Sequence, residues 1–160
     1  MFQKKPPDPP KTTEEINKEL VEEFPFIEPR DHCTGKPLDN YSYTYTALDW
    51  MPPGWKKAFG VKMCKDIKRS LDKSGSLNKY HIEDIKEKYG ALRVYGYGST
   101  VELENKVLPR YERMSERICG VCGAPATKIA IVWTFPLCDK CANSSKPNSY
   151  VDIDYYYGGK

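Results

Sequence analysis

Four cysteines in the last third of the chain have the spacing of a tetrahedral metal site. Cys119 and Cys122 form one Cys-x-x-Cys pair, Cys138 and Cys141 form a second pair, and fifteen residues separate the two. Two residues inside each pair allow a tight turn to direct both sulfurs at one point, and two such turns complete a tetrahedron. Four thiolates leave no coordination position open, so the expected cofactor is one structural Zn²⁺ ion.

Other uses of these cysteines fit the sequence less well. Disulfides require an oxidising compartment, and residues 1–11 are rich in Pro and Lys, without the apolar core of a signal peptide or membrane anchor. A thioredoxin-type pair would open a helix in a βαβ unit, whereas here the pair is doubled. A rubredoxin-like iron site uses the same four ligands, so iron remains the alternative metal. The expected compartment is a reducing cytoplasm.

The residues between the two pairs predict how the ligands are held. The run 128–135 is apolar and β-branched, which is typical of a strand, and Pro125 and Pro136 limit its length. A turn, a strand and a second turn make the plan of a zinc ribbon. We therefore predict a zinc-ribbon-like module over residues 119–141.

The composition limits the classes of partner. The chain is 39% apolar and 29% charged, as in ordinary globular proteins, and no apolar run is long enough to span a membrane. The formal charge is +3, and four thiolates with one Zn²⁺ together subtract two, which leaves +1. Attraction to nucleic acid would therefore have to come from local clusters of charge. Neither a membrane nor a small-molecule substrate is predicted as a partner.

Two amphipathic helices are predicted in the first half of the chain. Thr12 and Glu15 form a capping box for the first helix, and Pro25 ends it. The second helix begins at Trp55, and Cys64 on it is expected to be a small buried apolar group. Apolar side chains at helical spacing predict buried faces made of Ile16, Leu20, Val21 and Phe24 in the first helix, and of Trp55, Phe59, Met63, Ile67 and Leu71 in the second.

Two further segments have a pattern that suggests strands. Tyr41, Tyr43 and Tyr45 alternate with small polar residues, which predicts a strand. Residues 78–97 fit two alternatives, because helical steps precede Gly90 and strand-like alternation follows it. They form either a short helix that leads into a strand or a hairpin of two strands.

A last helix leads directly into the cysteines. Ser99 or Thr100 caps it, and Pro109 either kinks it or restarts it. Because this helix runs into Cys119, the metal module is expected to be docked on the body. Its predicted buried face is made of Val107, Tyr111, Met114 and Ile118.

Together these elements predict an α+β fold, with a small body of helices and antiparallel strands and a zinc-ribbon-like module after it. The predicted divisions are a disordered segment 1–11, the body 12–118, the module 119–141 and an acidic, tyrosine-rich tail 142–160.

Four blocks occur in order along the chain: Gly54-Trp55, Ile85-Lys86-Glu87-Lys88-Tyr89-Gly90-Ala91-Leu92-Arg93-Val94-Tyr95, Ile118-Cys119-Gly120-Val121-Cys122-Gly123 and Leu137-Cys138-Asp139-Lys140-Cys141. Over residues 20–141 this order resembles a family of small, largely uncharacterised bacteriophage and prophage proteins. In that family a Gly-Trp helix precedes a Lys-Glu-Lys-Phe-Gly-Gly-Leu-Arg-Phe-Tyr block, a helix and a paired-cysteine module. Tyr89, Ala91 and Val94 depart from its Phe, Gly and Phe. The resemblance implies a phage context, a bacterial cytoplasm and a hairpin for 78–97.

A basic segment with interleaved tyrosines suggests that the protein binds nucleic acid. Residues 54–93 contain eleven Lys or Arg against five Asp or Glu, a local charge of +6. Cations pair with phosphates and tyrosine rings stack on bases, although such a charge run is also typical of a solvated helix face. The first hypothesis is a non-enzymatic zinc protein that binds nucleic acid. Its candidate contacts are Lys56, Lys57, Lys62, Lys65, Lys68, Arg69, Lys86, Lys88, Arg93 and Tyr95.

A second hypothesis is a protein-binding inhibitor or adaptor directed at a host protein, such as a defence protein. The phage-like resemblance and the many tyrosines suggest it, because aromatic side chains are common anchors in protein interfaces. Its candidate anchors are Tyr41, Tyr43, Tyr45, Tyr155, Tyr156 and Tyr157.

An enzymatic function is not predicted. The sequence has two histidines and neither a nucleophile elbow nor a Gly-rich phosphate loop. The adjacent His32 and Cys33 are expected to lie in a loop without a metal or catalytic role. If the protein were a nuclease, Mg²⁺ would be bound by carboxylates such as Asp49, Glu83 and Asp84.

Overall fold

The computed structural model describes residues 9–144 and 149–158. These residues form helices and antiparallel strands, which confirms the predicted α+β fold. Most of the segment predicted to be disordered, residues 1–8, lies outside the described residues, and residues 9–11 are exposed and without regular structure.

The first helix, α1 (Thr13–Glu23), begins at the predicted capping box. Thr12 accepts a hydrogen bond from the Glu15 backbone N–H, and the Glu15 carboxylate accepts one from the Thr12 N–H at 2.8 Å. The helix ends just before Pro25, where a 3₁₀ turn (Pro25–Ile27) follows. Both boundaries are therefore confirmed.

The buried face of α1 differs from the predicted one at a single position. Val21 is buried as predicted, but Ile16 is 46% exposed and the neighbouring Asn17 is buried instead. The Asn17 side-chain amide donates to the Tyr43 carbonyl oxygen at 2.8 Å, which satisfies the buried polar group. This one long-range hydrogen bond is not visible in the apolar pattern of the helix.

The strand predicted at residues 41–45 is wrong. Tyr43 has a φ of +60°, which is incompatible with an extended strand. The rings of Tyr41 and Tyr43 pack with their centroids 4.7 Å apart, and the Tyr41 hydroxyl donates to the Tyr45 carbonyl oxygen. The segment is a compact loop that leads into a 3₁₀ turn (Ala47–Trp50).

The second predicted helix is confirmed, and it contains a π turn. It consists of α2 (Pro53–Trp55), the π turn (Lys56–Gly60) and α3 (Val61–Ser74). A π turn holds more residues than the 3.6 of an α-helical turn, so it keeps side chains four residues apart on one face. The side chains predicted to be buried all are: Trp55, Phe59, Met63, Cys64, Ile67 and Leu71.

Residues 78–97 contain a hairpin rather than a helix. Strand β1 (His81–Lys88) pairs antiparallel with β2 (Ala91–Tyr97). The turn consists of Tyr89 and Gly90, both of which have positive φ angles. This hairpin is the alternative that the family resemblance favours.

A β-bulge explains why the hairpin sequence also has helical steps. The pairing register shifts between Ile82 and Asp84, so one additional residue is accommodated in β1. Ile82 and Ile85 consequently both face the core, although they are three residues apart. In a regular strand, two residues at that spacing would lie on opposite faces.

The last helix of the body begins after Thr100, whose hydroxyl accepts from the Leu103 N–H at 3.2 Å. A π turn (Leu103–Val107) precedes α4 (Leu108–Ser115), and Pro109 lies in the first turn of α4. The chain stays helical through this proline because the π turn directly before it, in which the Leu108 N–H donates to the Leu103 carbonyl, replaces the regular hydrogen-bond pattern that a proline would interrupt.

Helix α4 lies between α3 and β2. On one side, the Tyr111 hydroxyl donates to the Asp66 carboxylate of α3 at 2.5 Å. On the other side, the Ser115 hydroxyl accepts from the Leu92 N–H of β2 at 2.8 Å, and Glu112 forms an ion pair with Arg93 at 2.7 Å. Helix α4 therefore lies between the solvent-facing surface of α3 and that of the β1–β2 hairpin.

The cysteine region contains a three-stranded antiparallel sheet. The central strand β3 (Lys128–Ala130) pairs with β4 (Phe135–Leu137) on one side and with β5 (Tyr150–Asp152) on the other. The predicted single strand 128–135 is wrong, because the chain turns at residues 131–134 and forms a hairpin.

The sheet is flanked by two short helices, α5 (Asp139–Ser144) and α6 (Ile153–Gly158). The residues described between 149 and 158 thus contribute an edge strand and a helix that packs against the sheet through the buried Ile153. The sequence pattern identifies this segment only as an acidic, tyrosine-rich tail.

Candidate functional site

The four predicted metal ligands come together at one point. The sulfurs of Cys119, Cys122, Cys138 and Cys141 all lie within 4.8 Å of one another, and those of Cys122 and Cys138 are 3.6 Å apart. In a tetrahedron with Zn–S bonds of roughly 2.3 Å, neighbouring sulfurs are roughly 3.8 Å apart. The predicted cluster is therefore confirmed and fits one tetrahedral ion. Tetrathiolate ligation suits zinc or iron.

Local hydrogen bonds hold each cysteine pair in its turn. In the first pair, the Cys119 N–H donates to the Ala124 carbonyl at 2.8 Å, and the Gly123 N–H donates to the Cys119 carbonyl at 2.9 Å. Gly123 has a φ of +82°, which glycine adopts without steric strain. In the second pair, Cys138 directly precedes α5. Cys141 lies in the first turn of α5, and its backbone N–H is 3.5 Å from the Cys138 sulfur.

The environment of the sulfurs favours the thiolate form of Cys119 and disfavours the thiolate form of Cys141. Burial alone would raise the pKa of Cys119, but backbone N–H groups of the two cysteine turns donate to its sulfur and lower the pKa to about 7. Burial and the three neighbouring sulfurs raise the pKa of Cys141 to about 12. Four thiolates in this space therefore require a cation to offset their repulsion, as a divalent metal does.

The module is docked on the body through a glycine contact. The Gly54 N–H donates to the Gly120 carbonyl oxygen at 2.8 Å, and the Trp55 Nε1–H donates to the Ile118 carbonyl oxygen at 2.8 Å. A Cβ atom on Gly54 would lie 2.7 Å from the Gly120 carbonyl carbon and closer still to the Cys119 carbonyl oxygen, so only glycine fits there. The expectation of a docked module is confirmed.

The ten residues predicted to contact nucleic acid divide between two surfaces. The helix that includes α3 carries one group, the hairpin carries the other, and α4 lies between them. The groups are Lys56, Lys57, Lys62, Lys65, Lys68 and Arg69 on the helix, and Lys86, Lys88, Arg93 and Tyr95 on the hairpin. In space, exposed tyrosine rings lie next to cations of the hairpin group, whereas in the helix group Lys62 lies over the buried Tyr111 ring, with Nζ 5.6 Å from its centroid.

A single buried carboxylate organises part of the helix group. Asp66 is only 7% exposed, and it pairs with Arg69 at 3.0 Å, Lys62 at 3.2 Å and Arg110 of α4 at 3.6 Å. The hydrogen bond from Tyr111, followed by the neighbouring cations, holds the pKa of Asp66 below its usual value. Three cations around one carboxylate leave a net positive surface. One of them, Arg110, was not among the residues predicted to contact nucleic acid.

The other cations of the helix group differ in their partners. Lys56 forms an ion pair with Asp49 at 2.5 Å. For Lys57, Lys65 and Lys68, no carboxylate partner occurs among residues 9–144 and 149–158. These three side chains are therefore free to pair with an external anion.

On the outer face of the hairpin, cations lie next to aromatic rings. The Lys86 Nζ is 4.9 Å from the centroid of the Tyr95 ring, and it also pairs with Asp84 at 2.7 Å. The Lys88 Nζ is 5.8 Å from the centroid of the Tyr89 ring. Arg93 lies directly across the strand pair from Lys86.

The six tyrosines proposed as protein-binding anchors also form two groups. Tyr41, Tyr43 and Tyr45 pack on one another in their loop, with Tyr45 37% exposed. In α6, Tyr155 is 79% exposed, whereas Tyr156 and Tyr157 pack edge to face with their centroids 5.0 Å apart.

The residues considered for enzymatic roles do not form a metal cluster. Among residues 9–144 and 149–158, the four cysteines are the only group of three or more Cys, His, Asp or Glu side chains close enough to bind an ion. The Asp49 carboxylate forms an ion pair with Lys56, and Glu83 and Asp84 lie at the β-bulge. His32 and Cys33 lie in an exposed loop, as expected.

An exposed apolar surface at two adjacent turns was not predicted. The turn of the β1–β2 hairpin meets the turn of the β3–β4 hairpin so closely that a Cβ atom added to Gly90 would lie 3.1 Å from the Thr134 methyl carbon. We define the turn patch as Tyr89, Ile131, Val132 and Trp133, which are between 51% and 77% exposed. Nothing in the sequence indicates it, because an apolar run resembles a buried strand.

No protein-family model, curated protein or solved structure matches this chain. The resemblance to bacteriophage and prophage proteins therefore stays a prediction. Within the described parts of the chain, none of the helices combines the length and apolar character needed to cross a bilayer.

Proposed function

We propose that this protein is a non-enzymatic zinc-binding accessory protein that acts by binding nucleic acid. The observation that carries the proposal is the charge on the outer face of α3. Residues 62–73 contribute five Lys or Arg against two Asp, and one of those carboxylates, Asp66, is buried beneath three cations. A helix face with this excess of positive charge attracts the phosphate backbone.

The cysteine cluster has a structural role in this proposal. Four protein ligands occupy every position of a tetrahedral zinc ion, so no position remains for a water or a substrate. Docking through Gly54 and Trp55 holds the start of the helical segment in place. The resemblance to phage proteins supports a bacterial cytoplasm as the place of action.

Fluorescence anisotropy with labelled oligonucleotides at increasing salt tests the proposal. Removing one cation that pairs with a phosphate should reduce the slope of log K against log[salt] by about 0.9 for a duplex and about 0.7 for a single strand. The variant Lys65→Glu/Lys68→Glu is therefore expected to bind more weakly, with a slope smaller by about 1.8 for a duplex and about 1.4 for a single strand.

The matched control is Lys18→Glu/Lys36→Glu, which makes the same change in net charge at exposed positions away from α3. It should keep most of the affinity of the unchanged protein. Absence of binding at low salt, or equal weakening by both double variants, would contradict the proposal.

A protein-binding inhibitor or adaptor is the second candidate function. It is favoured by the exposure of Tyr155, which is 79% exposed at the start of α6 and could anchor a protein partner. Affinity capture from host lysate, with and without nuclease treatment, separates the two functions. Recovery of the same protein after nuclease treatment, and its loss with Tyr155→Ala, would favour the adaptor.

A further inference from the structure

We propose that the outer face of the β1–β2 hairpin and the turn patch form one continuous site for single-stranded nucleic acid. This inference rests on the proposed function and specifies which form of nucleic acid is bound and which residues bind its bases. The site would be separate from the phosphate-binding face of α3, on the other side of α4.

Exposed aromatic side chains occur along this surface, with Tyr95 and Tyr97 on the outer face of β2 and Tyr89 at the hairpin turn. Tyr97, Tyr95 and Tyr89 are 65%, 43% and 77% exposed, and Trp133 at the adjoining turn is 76% exposed. Aromatic rings of this size are normally buried in a core or an interface, since each carries a large apolar area. Four exposed rings on the hairpin and the adjoining turn favour a surface that stacks against flat ligands.

The geometry of β2 sets the spacing of the two rings that it carries. Tyr95 and Tyr97 lie on the same face of β2, about 6.8 Å apart along the strand, and the seven residues of β2 span about 24 Å. A track of this length suits about four nucleotides, which is the lower end of the site sizes of single-strand-binding domains. The ring of His81 stacks on Tyr97 at 5.4 Å and extends the aromatic surface across the strand pair.

Cations lie next to the rings, where they can pair with the phosphates of a strand whose bases stack on those rings. Lys86 and Lys88 lie 4.9 and 5.8 Å from the ring centroids of Tyr95 and Tyr89, respectively. A ligand that places a base on each ring would thus place its phosphates next to these ammonium groups. The Glu87 carboxylate does not compete for Lys88, because it accepts a hydrogen bond from the Gly90 N–H at 2.6 Å.

A cleft of about 700 Å³ lies on the same side of the hairpin. Its walls are the loop at residues 30–35 and the strands, and Arg30, Lys86 and Tyr95 are among the residues that line it. A second hollow of about 430 Å³ is lined by Lys88, Tyr89 and Trp133. Each of these two concave regions therefore contains a cation and an aromatic ring.

These features favour single strands over duplexes. The bases of a duplex are stacked on one another and are not accessible to protein rings, whereas unpaired bases can stack on exposed aromatic side chains. The cleft contains three carboxylates, Asp31, Glu83 and Asp84, against the two cations Arg30 and Lys86, so base stacking rather than phosphate attraction would supply most of the affinity.

The test measures binding of the zinc-loaded protein to a labelled twelve-nucleotide single strand and to a hairpin duplex of mixed sequence. The single strand is expected to bind more tightly. Tyr89→Leu/Trp133→Leu should weaken single-strand binding by about 10-fold or more, because two rings that stack on bases are removed, and should leave duplex binding unchanged. The matched control is Tyr155→Leu, an exposed aromatic residue on α6, which should change neither affinity.

The outcomes separate this site from the proposed function. If duplex and single strand bind equally and the double variant changes neither, the site is wrong while binding through α3 stands. If no nucleic acid binds, both are wrong. If the double variant instead abolishes self-association in sedimentation experiments without changing single-strand affinity, the turn patch is a contact between copies of the chain, and the inference is overturned.

Discussion

The body and the cysteine module differ in the size of their apolar cores. Among residues 9–144 and 149–158, the body buries 21 apolar side chains in one cluster, whereas each of the two clusters of the module contains three. Full burial of a large apolar side chain contributes about 1.5–3 kcal/mol, so burial can stabilise the body but only weakly stabilises the module. A segment of about 40 residues generally needs a metal or disulfides to fold. The two regions therefore depend on different interactions, although they are in direct contact.

The largest expected effect comes from removing a metal ligand. Cys138→Ser should abolish stable metal binding and unfold β3–β5, because structural zinc contributes about 10–16 kcal/mol to the folding of small modules. Hydrogen–deuterium exchange should show that protection disappears in the module and continues in α3 and the β1–β2 hairpin. Elemental analysis should show metal loss.

The control for this prediction is Cys33→Ser, which changes an exposed cysteine outside the cluster. It should leave the metal content and the exchange pattern as they are. A module that stays protected in Cys138→Ser, or a body that unfolds completely with it, would remove the distinction between the two regions.

The next largest effect is expected at the residue that joins them. Trp55 is fully buried, and its Nε1–H donates to the Ile118 carbonyl oxygen at 2.8 Å. Trp55→Ala should lower the free energy of unfolding of the body by about 3–5 kcal/mol. It should also weaken metal binding, since the ring packs against Phe135 with centroids 6.1 Å apart.

Denaturant unfolding followed by circular dichroism, with a chelator competition for the metal, measures both effects. Trp133→Ala provides the comparison, because Trp133 is 76% exposed and its removal should change stability by about 0.5 kcal/mol or less. Unchanged metal affinity in Trp55→Ala would show that the two regions are energetically independent.

The smallest predicted effect concerns a polar interaction within the body alone. Asp66→Asn should lower stability at neutral pH by about 1–3 kcal/mol, because a buried hydrogen-bonded carboxylate loses its charge. The folded-state pKa of Asp66 lies below its usual value, so its contribution is present above that usual value and is lost as the pH falls through the folded-state pKa. Stability of the unchanged protein should therefore decline more steeply below about pH 4 than that of Asp66→Asn.

Urea unfolding at a series of pH values measures this difference. Asp72→Asn is the control, since Asp72 is an exposed aspartate on the same helix. Metal loss in acid affects all three proteins alike and cancels in the comparison. If Asp72→Asn reproduces the pH profile of Asp66→Asn, the buried pair of Asp66 and Tyr111 is not the cause.

The features that could be predicted from the sequence depend on local spacing. The Cys-x-x-Cys pairs predicted the cluster because each turn brings its two sulfurs together irrespective of the rest of the fold. The stripe that begins at Trp55 predicted a buried helix face, and the capping box at Thr12 predicted where α1 begins. In each case residues within a few positions of one another determine the structure.

The features that could not be predicted depend on contacts between distant segments. The run 128–135 has the composition of a buried strand, but its middle lies at a turn that is exposed beside Tyr89. The three-residue step from Ile82 to Ile85 results from a bulge, which single-sequence periodicity cannot distinguish from a helix.

The grouping of the basic residues on the surface also depends on contacts between distant segments and could not be predicted from the sequence. A count over residues 54–93 does not reveal that α4 divides them, since that division follows from the packing of Tyr111 against Asp66. The cations of one continuous sequence segment consequently belong to two surfaces with different neighbours. For this reason we propose two separate binding faces, one for phosphates and one for bases.

The close approach of Gly54 to the first cysteine turn determines what is expected when the chain is produced as two separate fragments. A fragment that ends at residue 118 would leave the Gly54 N–H without its acceptor and would uncover part of the Trp55 ring. A fragment that begins at residue 119 would lack the surface on which Phe135 rests. Halves produced separately are therefore expected to be poorly soluble, and co-expression should be needed to recover a complementing pair.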